Sequence, residues 1–183
     1  IMRRNLRLSS FKLWRKRVYG KKTKHLLDWF CQVPDVEIDF FVSGSMRNDI
    51  IREMDYAKNI NFFAPLSDDK YINNMVNYDY GLILLNEHAS TSVFPSKLPG
   101  HLSIGQPVII LSPFENGLTE FVSSNECGYV VMSETTQLSQ NKETFFSQTY
   151  KDLSVKSELT FDQFFNPEKM AGKFVEYVGK IVN

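Results

Sequence analysis

Phe94-Pro95-Ser96-Lys97-Leu98 opens the stretch that decides the fold, and it leads into Ser103-Ile104-Gly105-Gln106-Pro107-Val108-Ile109-Ile110-Leu111. This order predicts a loop, a short helix and a buried strand. Ser96 is the predicted N-cap, and Pro99 falls in the first turn, where a missing N–H is tolerated. Gly105 stands where the helix must end. The closing apolar run is typical of a strand that is covered on both faces.

The same loop brings a hydroxyl, an ammonium group and free helix amides to one end of the predicted strand. In parallel sheets that end is where phosphorylated ligands bind. The residues by themselves leave a second interpretation open, namely an ordinary strand–loop–helix–strand unit with a surface lysine at position 97.

Helical and strand patterns alternate along the rest of the chain. Helices are predicted over 21–33, 48–57, 67–76, 118–123 and 166–182, and strands over 36–42, 61–63, 80–85, 108–111 and 128–132. Serial βα units predict an α/β fold, with a Rossmann-like parallel sheet and helices on both faces. The polar segment 133–160 is predicted to be loop with one loose helix.

Charge is distributed unevenly, although the 183 residues have a formal net charge of zero. The segment 2–24 contains ten basic residues and no acidic one. This excess of positive charge favours an anionic partner such as a phosphate or a lipid surface. We predict a basic arm or helix over 1–19 and one domain over 20–183. The aromatic residues form no nucleic-acid stacking platform, so a nucleic-acid partner is not expected.

The two cysteines, Cys31 and Cys127, have no metal-binding spacing and are too few for a disulfide scaffold. No apolar run is long enough to span a bilayer, and no signal peptide is visible. We therefore expect a cytoplasmic protein, with peripheral contact to the inner face of the membrane through the basic segment.

Three loops are predicted to meet at the carboxyl edge of the sheet, over 43–46, 86–97 and 112–118. They contain small, hydroxyl and amide residues and Lys97, with many hydrogen-bond donors and few acids. That set suits a nucleotide diphosphate better than a metal ion or a general acid/base pair.

The segment 94–131 resembles the C-terminal, donor-binding half of GT-B glycosyltransferases of the "glycosyl transferases group 1" family. The closest similarity is to members that build capsular or other surface polysaccharides. The family pattern is a Pro-Ser-Lys-Leu motif before a helix, a Gly-x-Pro-Val-Ile strand, a loop with a glutamate, and a Cys-Gly-x-Val-Val strand. The matching residues are 95–98, 105–109, Glu120 and 127–131. Weaker similarity, in 41–45 and 59–66, extends upstream to about Gly20.

The resemblance implies a nucleotide-sugar donor, UDP- or GDP-linked, bound to this half. It also implies an N-terminal acceptor domain or partner subunit, without which the chain is inactive. Neither a metal nor another cofactor is expected, because basic side chains and helix-end amides stabilise the departing diphosphate. No catalytic residue is assigned. By analogy, the diphosphate-binding residues are Ser96, Lys97, Lys21 and Lys22, and the nucleotide- or sugar-binding residues are Gly44, Ser45, Ser92, Gly100 and Glu120.

The chain departs from the family at two of these positions. Many members have two glutamates eight positions apart, and Ser92 and Gly100 occupy those places. The alternative hypothesis is therefore a degenerate, non-catalytic GT-B half that acts as an interaction or membrane-docking module. His101, one residue beyond Gly100, is predicted to lie on the helix surface.

Overall fold

The computed structural model describes residues 6–11, 21–33, 35–41, 48, 51–52, 54–85, 94–132 and 149–182. Its strands are β1 (Leu6–Phe11), β2 (Val36–Phe41), β3 (Ile60–Phe63), β4 (Tyr80–Leu84), β5 (Val108–Ser112) and β6 (Gly128–Met132). Its helices are α1 (Lys21–Phe30), α2 (Asp68–Met75), α3 (Leu98–Ser103), α4 (Gly117–Ser124), α5 (Tyr150–Phe164) and α6 (Pro167–Val182). Of the helix predicted over 48–57, Asn48, Ile51 and Arg52 are helical and 54–56 form a turn, so the helix ends earlier than predicted; residues 49, 50 and 53 lie outside the described residues.

The six strands form one parallel sheet in the order β3-β2-β1-β4-β5-β6. The strand order reverses between β1 and β4, and open α/β sheets bind ligands at such a reversal, beyond the carboxyl ends of the strands. The predicted Rossmann-like parallel sheet is confirmed. It places the carboxyl ends of β1, β4 and β5 at the same edge.

Two apolar clusters cover the two faces of the sheet. In one, Leu26 and Phe30 of α1 pack with Ile109 of β5. In the other, Leu102 of α3 packs with Ile110, the next residue of the same strand. Neighbouring strand residues point to opposite faces, so the continuous apolar run of β5 is buried on both sides, as its sequence predicts.

The prediction of a basic arm or helix over 1–19 is wrong for Leu6–Phe11. These residues form β1, a central strand of the sheet. Leu6 pairs with Val36 at one end of β1, and Leu8 pairs with Tyr80 on the other side. Hydrogen bonds from both neighbouring strands fix the backbone here, although its own residues are too polar to predict a strand. The remainder of the predicted arm lies outside the described residues.

A regular helix occupies the end of the segment 133–160, which the sequence predicts to be loop with one loose helix, and it continues to Phe164. α5 begins after Thr149, whose hydroxyl accepts a hydrogen bond from the Asp152 amide at 3.3 Å. Leu153 joins the first apolar cluster and Phe161 packs against the second. The helix therefore connects the two faces of the sheet, and its polar residues conceal that role because only a few of its positions are buried.

The last helix begins where the sequence predicts. The side-chain oxygen of Asn166 accepts a hydrogen bond from the Glu168 amide at 3.0 Å, which caps α6. Among the helices that the structure describes, none is both long and apolar enough to cross a membrane.

Candidate functional site

The predicted site residues that the structure describes lie on helices that follow strands at the carboxyl edge of the sheet. Ser96 and Lys97 lead into α3, Gly100 lies in its first turn, and Glu120 lies in the first turn of α4. Lys21 and Lys22 begin α1, after β1. Gly44, Ser45 and Ser92 are outside the described residues, so their assignment to the site stays a prediction.

The start of α3 differs by one residue from the prediction. Lys97, rather than Ser96, occupies the N-cap position, and no side chain caps the helix. The Leu98 amide donates to the Pro95 carbonyl at 3.0 Å, so a backbone turn leads directly into the helix. Ser96 lies in this turn with its side chain exposed. Its hydroxyl is therefore not occupied as a helix cap.

The end of α3 follows the prediction closely. Gly105 has a φ of 66°, the left-handed conformation that favours glycine. The Gly105 amide donates to the Leu102 carbonyl at 3.1 Å, and the Gln106 amide donates to the His101 carbonyl at 3.0 Å. These two bonds form a Schellman motif, which fixes the helix end and the start of β5.

Aromatic contacts hold the segment before α3 against α4. The rings of Phe94 and Phe121 meet edge to face, with their centroids 5.1 Å apart. Phe121 is the neighbour of Glu120, so the helix that holds Glu120 lies beside the segment that leads to Lys97. Glu120 is exposed. No direct contact joins it to Ser96 or Lys97 among the described residues.

Asn116 caps α4 and takes up the first amides of that helix. Its side-chain oxygen accepts hydrogen bonds from Leu118 at 2.9 Å and from Thr119 at 3.2 Å. Its side-chain amide donates to the hydroxyl of Ser112, at the end of β5, at 3.0 Å. The loop after β5 is thus held by its own side chains, and Glu120 has no capping role.

Lys97 is partly buried, and its ammonium lies over the ring of Tyr71 in α2. Nζ is 3.9 Å from the ring centroid, which is a cation–π contact. Among the described residues, no carboxylate lies within ion-pair distance of this ammonium. The charge of Lys97 is therefore held in place and is not neutralised by an acid of the described part of the chain.

His101 is buried, so its predicted position on the helix surface is wrong. Its side chain is 2 % exposed, and its Nδ1 is 2.6 Å from Oε1 of Gln106. Burial lowers the pKa of His101 to about 4, against the opposing effect of the Gln106 hydrogen bond. The imidazole is therefore neutral at physiological pH.

Sequence reasoning missed two residues that shape this region, Tyr71 and Gln106. Tyr71 contacts Lys97, and Gln106 holds His101. Buried Gln106 follows the helix-ending glycine directly, and a polar residue before a buried strand is the only signal that marks it. Around Lys97 the described part of the site has hydroxyl groups and an exposed carboxylate, which together with the ammonium suit binding of an anionic ligand with hydroxyl groups.

One known family, described as "Protein of unknown function (DUF2805)", matches residues 1–37. No curated protein matches the chain. Solved structures match almost all of it. Sucrose-phosphate synthase from Thermosynechococcus elongatus has a TM-score of 0.67 at 12 % identity, over 97 % of this chain and 46 % of that one.

Two further structures give the same result. Anabaena HepE, in complex with UDP and glucose, has a TM-score of 0.66 at 15 % identity, over 96 % of this chain and 48 % of its own. A glycosyltransferase from Rickettsia africae has a TM-score of 0.64 at 15 % identity, and the match covers 98 % of this chain and 48 % of that one. This chain therefore spans about half the length of the solved structures that it matches. At these identities the likeness shows the fold, which is the Rossmann-like fold of one half of a GT-B glycosyltransferase.

Proposed function

We propose that this chain is the nucleotide-sugar-binding half of a glycosyltransferase and that it works with an N-terminal acceptor domain or partner subunit. The observation that supports this most directly is the position of Lys97. It lies at the start of the helix that follows β4, next to the strand-order reversal, without an acid partner among the described residues. A cation in that place suits the diphosphate of a nucleotide-sugar.

In this proposal the chain binds the donor and stabilises the departing diphosphate. Lys97 and the Ser96 hydroxyl bind the diphosphate and stabilise the negative charge that develops when the glycosidic bond to it breaks. Lys21 and Lys22, at the start of α1, add positive charge at the same edge. Gly44, Ser45, Ser92, Gly100 and Glu120 contact the nucleotide or the sugar.

The acceptor half is the second element of the proposal. HepE, whose structure holds UDP and glucose, is about twice as long as this chain, since the match covers 48 % of it. In this proposal the acceptor site belongs to another domain or subunit, and the length difference supports it. We further propose that the acceptor belongs to surface or capsular polysaccharide synthesis at the inner face of the membrane, which the motif order in 94–131 favours.

A nuclear magnetic resonance titration of ¹⁵N-labelled protein tests donor binding. UDP, GDP and their sugar conjugates are added to wild type, to Lys97→Ala and to Lys173→Ala, which removes a lysine of α6 instead. Saturable shifts near Ser96 and Lys97 that weaken in Lys97→Ala, and not in Lys173→Ala, would establish the donor site and identify its base. An absence of shifts at millimolar ligand would refute donor binding by this chain.

One observation favours the alternative of a degenerate docking module. The apolar residues of α6 are unusually exposed, with Phe174 at 67 % and Tyr177 at 64 %. Lys169 and Lys173 lie on the same helix, and aromatic and basic residues together are typical of helices that bind membrane interfaces. Co-sedimentation with anionic vesicles, lost in Phe174→Ser, would support this function, and equal binding by the variant would contradict it.

A further inference from the structure

A buried chain of hydrogen bonds begins at Gln106. Its side-chain nitrogen donates to the carbonyl oxygens of Met75 at 3.0 Å and Tyr78 at 2.6 Å, where α2 ends. These two acceptors fix which end of the amide is nitrogen, so Oε1 must face His101 as an acceptor. Nδ1 of His101, 2.6 Å away, therefore carries the ring proton.

The same assignment fixes the role of the other imidazole nitrogen. Because Nδ1 is protonated and the ring is neutral, Nε2 has a free lone pair. This lone pair faces the hydroxyl of Tyr71, which donates to it across 3.5 Å. The orientation of the Tyr71 ring is thus tied, through His101 and Gln106, to the end of α2.

The three side chains of this network are almost fully buried. His101 and Gln106 are each 2 % exposed and Tyr71 is 7 % exposed. The imidazole occupies the space above Gly81, whose missing side chain leaves room for it. Burial and the contact with the imidazole restrict the Tyr71 ring, and restricted positioning of this kind is what an accurate binding site needs.

Lys97, the N-cap residue, lies one helical turn before His101 of α3, and its carbonyl accepts the His101 amide at 3.1 Å, so the two side chains are on the same face. Tyr71 contacts both of them. Its hydroxyl meets the imidazole, and its ring face lies beneath the Lys97 ammonium, with Nζ 3.9 Å from the centroid. The aromatic ring therefore separates a neutral buried network from a charged group at the edge of the sheet.

We propose that Tyr71 is the positioning residue for Lys97: its ring, packed edge to face on the buried His101, holds the ammonium ready for the diphosphate of a nucleotide. The role rests on the proposed donor site. A flexible lysine loses rotamer freedom when it binds a phosphate, and a ring that already orients the stem reduces that loss. The N–H donors of the ammonium that face away from the ring stay available to phosphate oxygens, and the ring leaves the positive charge without the neutralising partner that a carboxylate would be.

The first measurement is independent of any ligand. Protons above an aromatic face resonate upfield, so the ε-methylene protons of Lys97 should be shifted upfield in the full chain. The shift should persist in Tyr71→Phe, which keeps the ring, and disappear in Tyr71→Leu. Tyr71→Met supplies a second variant without a ring if the leucine variant does not fold. Unshifted Lys97 protons in the wild type would overturn the proposal.

The second measurement is a titration of the same proteins with UDP and with pyrophosphate. Loss of the ring should weaken binding of both by about three- to tenfold, and Tyr71→Phe should bind nearly as wild type does. Equal affinity in the ringless variants would overturn the positioning role. Wild type that binds neither probe, while its Lys97 protons are shifted, would refute the donor site and with it this role, yet leave the cation–π contact established.

Discussion

The imidazole of His101 lies where a side chain on Gly81 would have to be. A Cβ added to Gly81 would be 2.6 Å from Cγ of the ring and 2.7 Å from two other ring atoms. Gly81 is the second residue of β4, and glycine is otherwise unfavourable within a strand. The glycine is therefore explained by the helix residue that packs onto it.

Gly81→Ala should destabilise the protein by about 1–3 kcal/mol, since the ring must move and its hydrogen bonds to Gln106 and Tyr71 are strained. Chemical denaturation measures the change as a lower midpoint at an unchanged slope. If the variant were as stable as wild type, the imidazole would not occupy this space.

Gly100→Ala is the matched control and should have the opposite effect on the free energy of unfolding. Gly100 is in the first turn of α3, and a Cβ there would meet nothing closer than Cε of Met75 at 3.9 Å. Alanine should therefore stabilise the protein by about 0.5–1 kcal/mol, because it restricts the unfolded chain and favours helix. Denaturation under the same conditions measures it, and a loss of stability would mean that the helix is not formed as described.

The strands with strong local signals were predictable from the sequence. The runs that form β4, β5 and β6 are mainly apolar, with most β-branched residues in β5 and β6, and each strand lies within a residue of its predicted bounds. The order of these units also predicts the parallel sheet. Gly105 ends α3 where its sequence position indicates, because only that backbone conformation closes the helix there.

Other features depend on contacts between distant segments, which a single sequence does not reveal. β1 is a strand because β2 and β4 flank it, and its own residues include only scattered apolar side chains. His101 is polar and reads as a surface residue, yet Gln106 satisfies it in the core. Tyr71 is separated from Lys97 by the whole of β4, so no local pattern joins them.

Asn116→Ala should lower the free energy of unfolding by about 1–2 kcal/mol, because two amides at the start of α4 lose their acceptor. The variant also breaks the bond to the Ser112 hydroxyl at the end of β5. Thermal unfolding measures the loss. Ser123→Ala, at an exposed position of the same helix, is the control and should change stability by less than about 0.5 kcal/mol. Equal effects of the two variants would contradict the capping role.

The buried imidazole of His101 should make the protein less stable in mild acid. Burial lowers its folded-state pKa to about 4, from 6.5 in an exposed chain, so between these values the unfolded state binds a proton that the folded state does not. This contribution to stability is complete above about pH 6.5 and is lost as the pH falls towards 4, to a total of about 3 kcal/mol. Denaturation at a series of pH values should show the slope in wild type and a smaller one in His101→Gln, which does not titrate. Parallel curves for the two proteins would mean that His101 takes up a proton as readily in the folded state as in the unfolded chain, and they would contradict a hydrogen bond that Nε2 accepts from Tyr71.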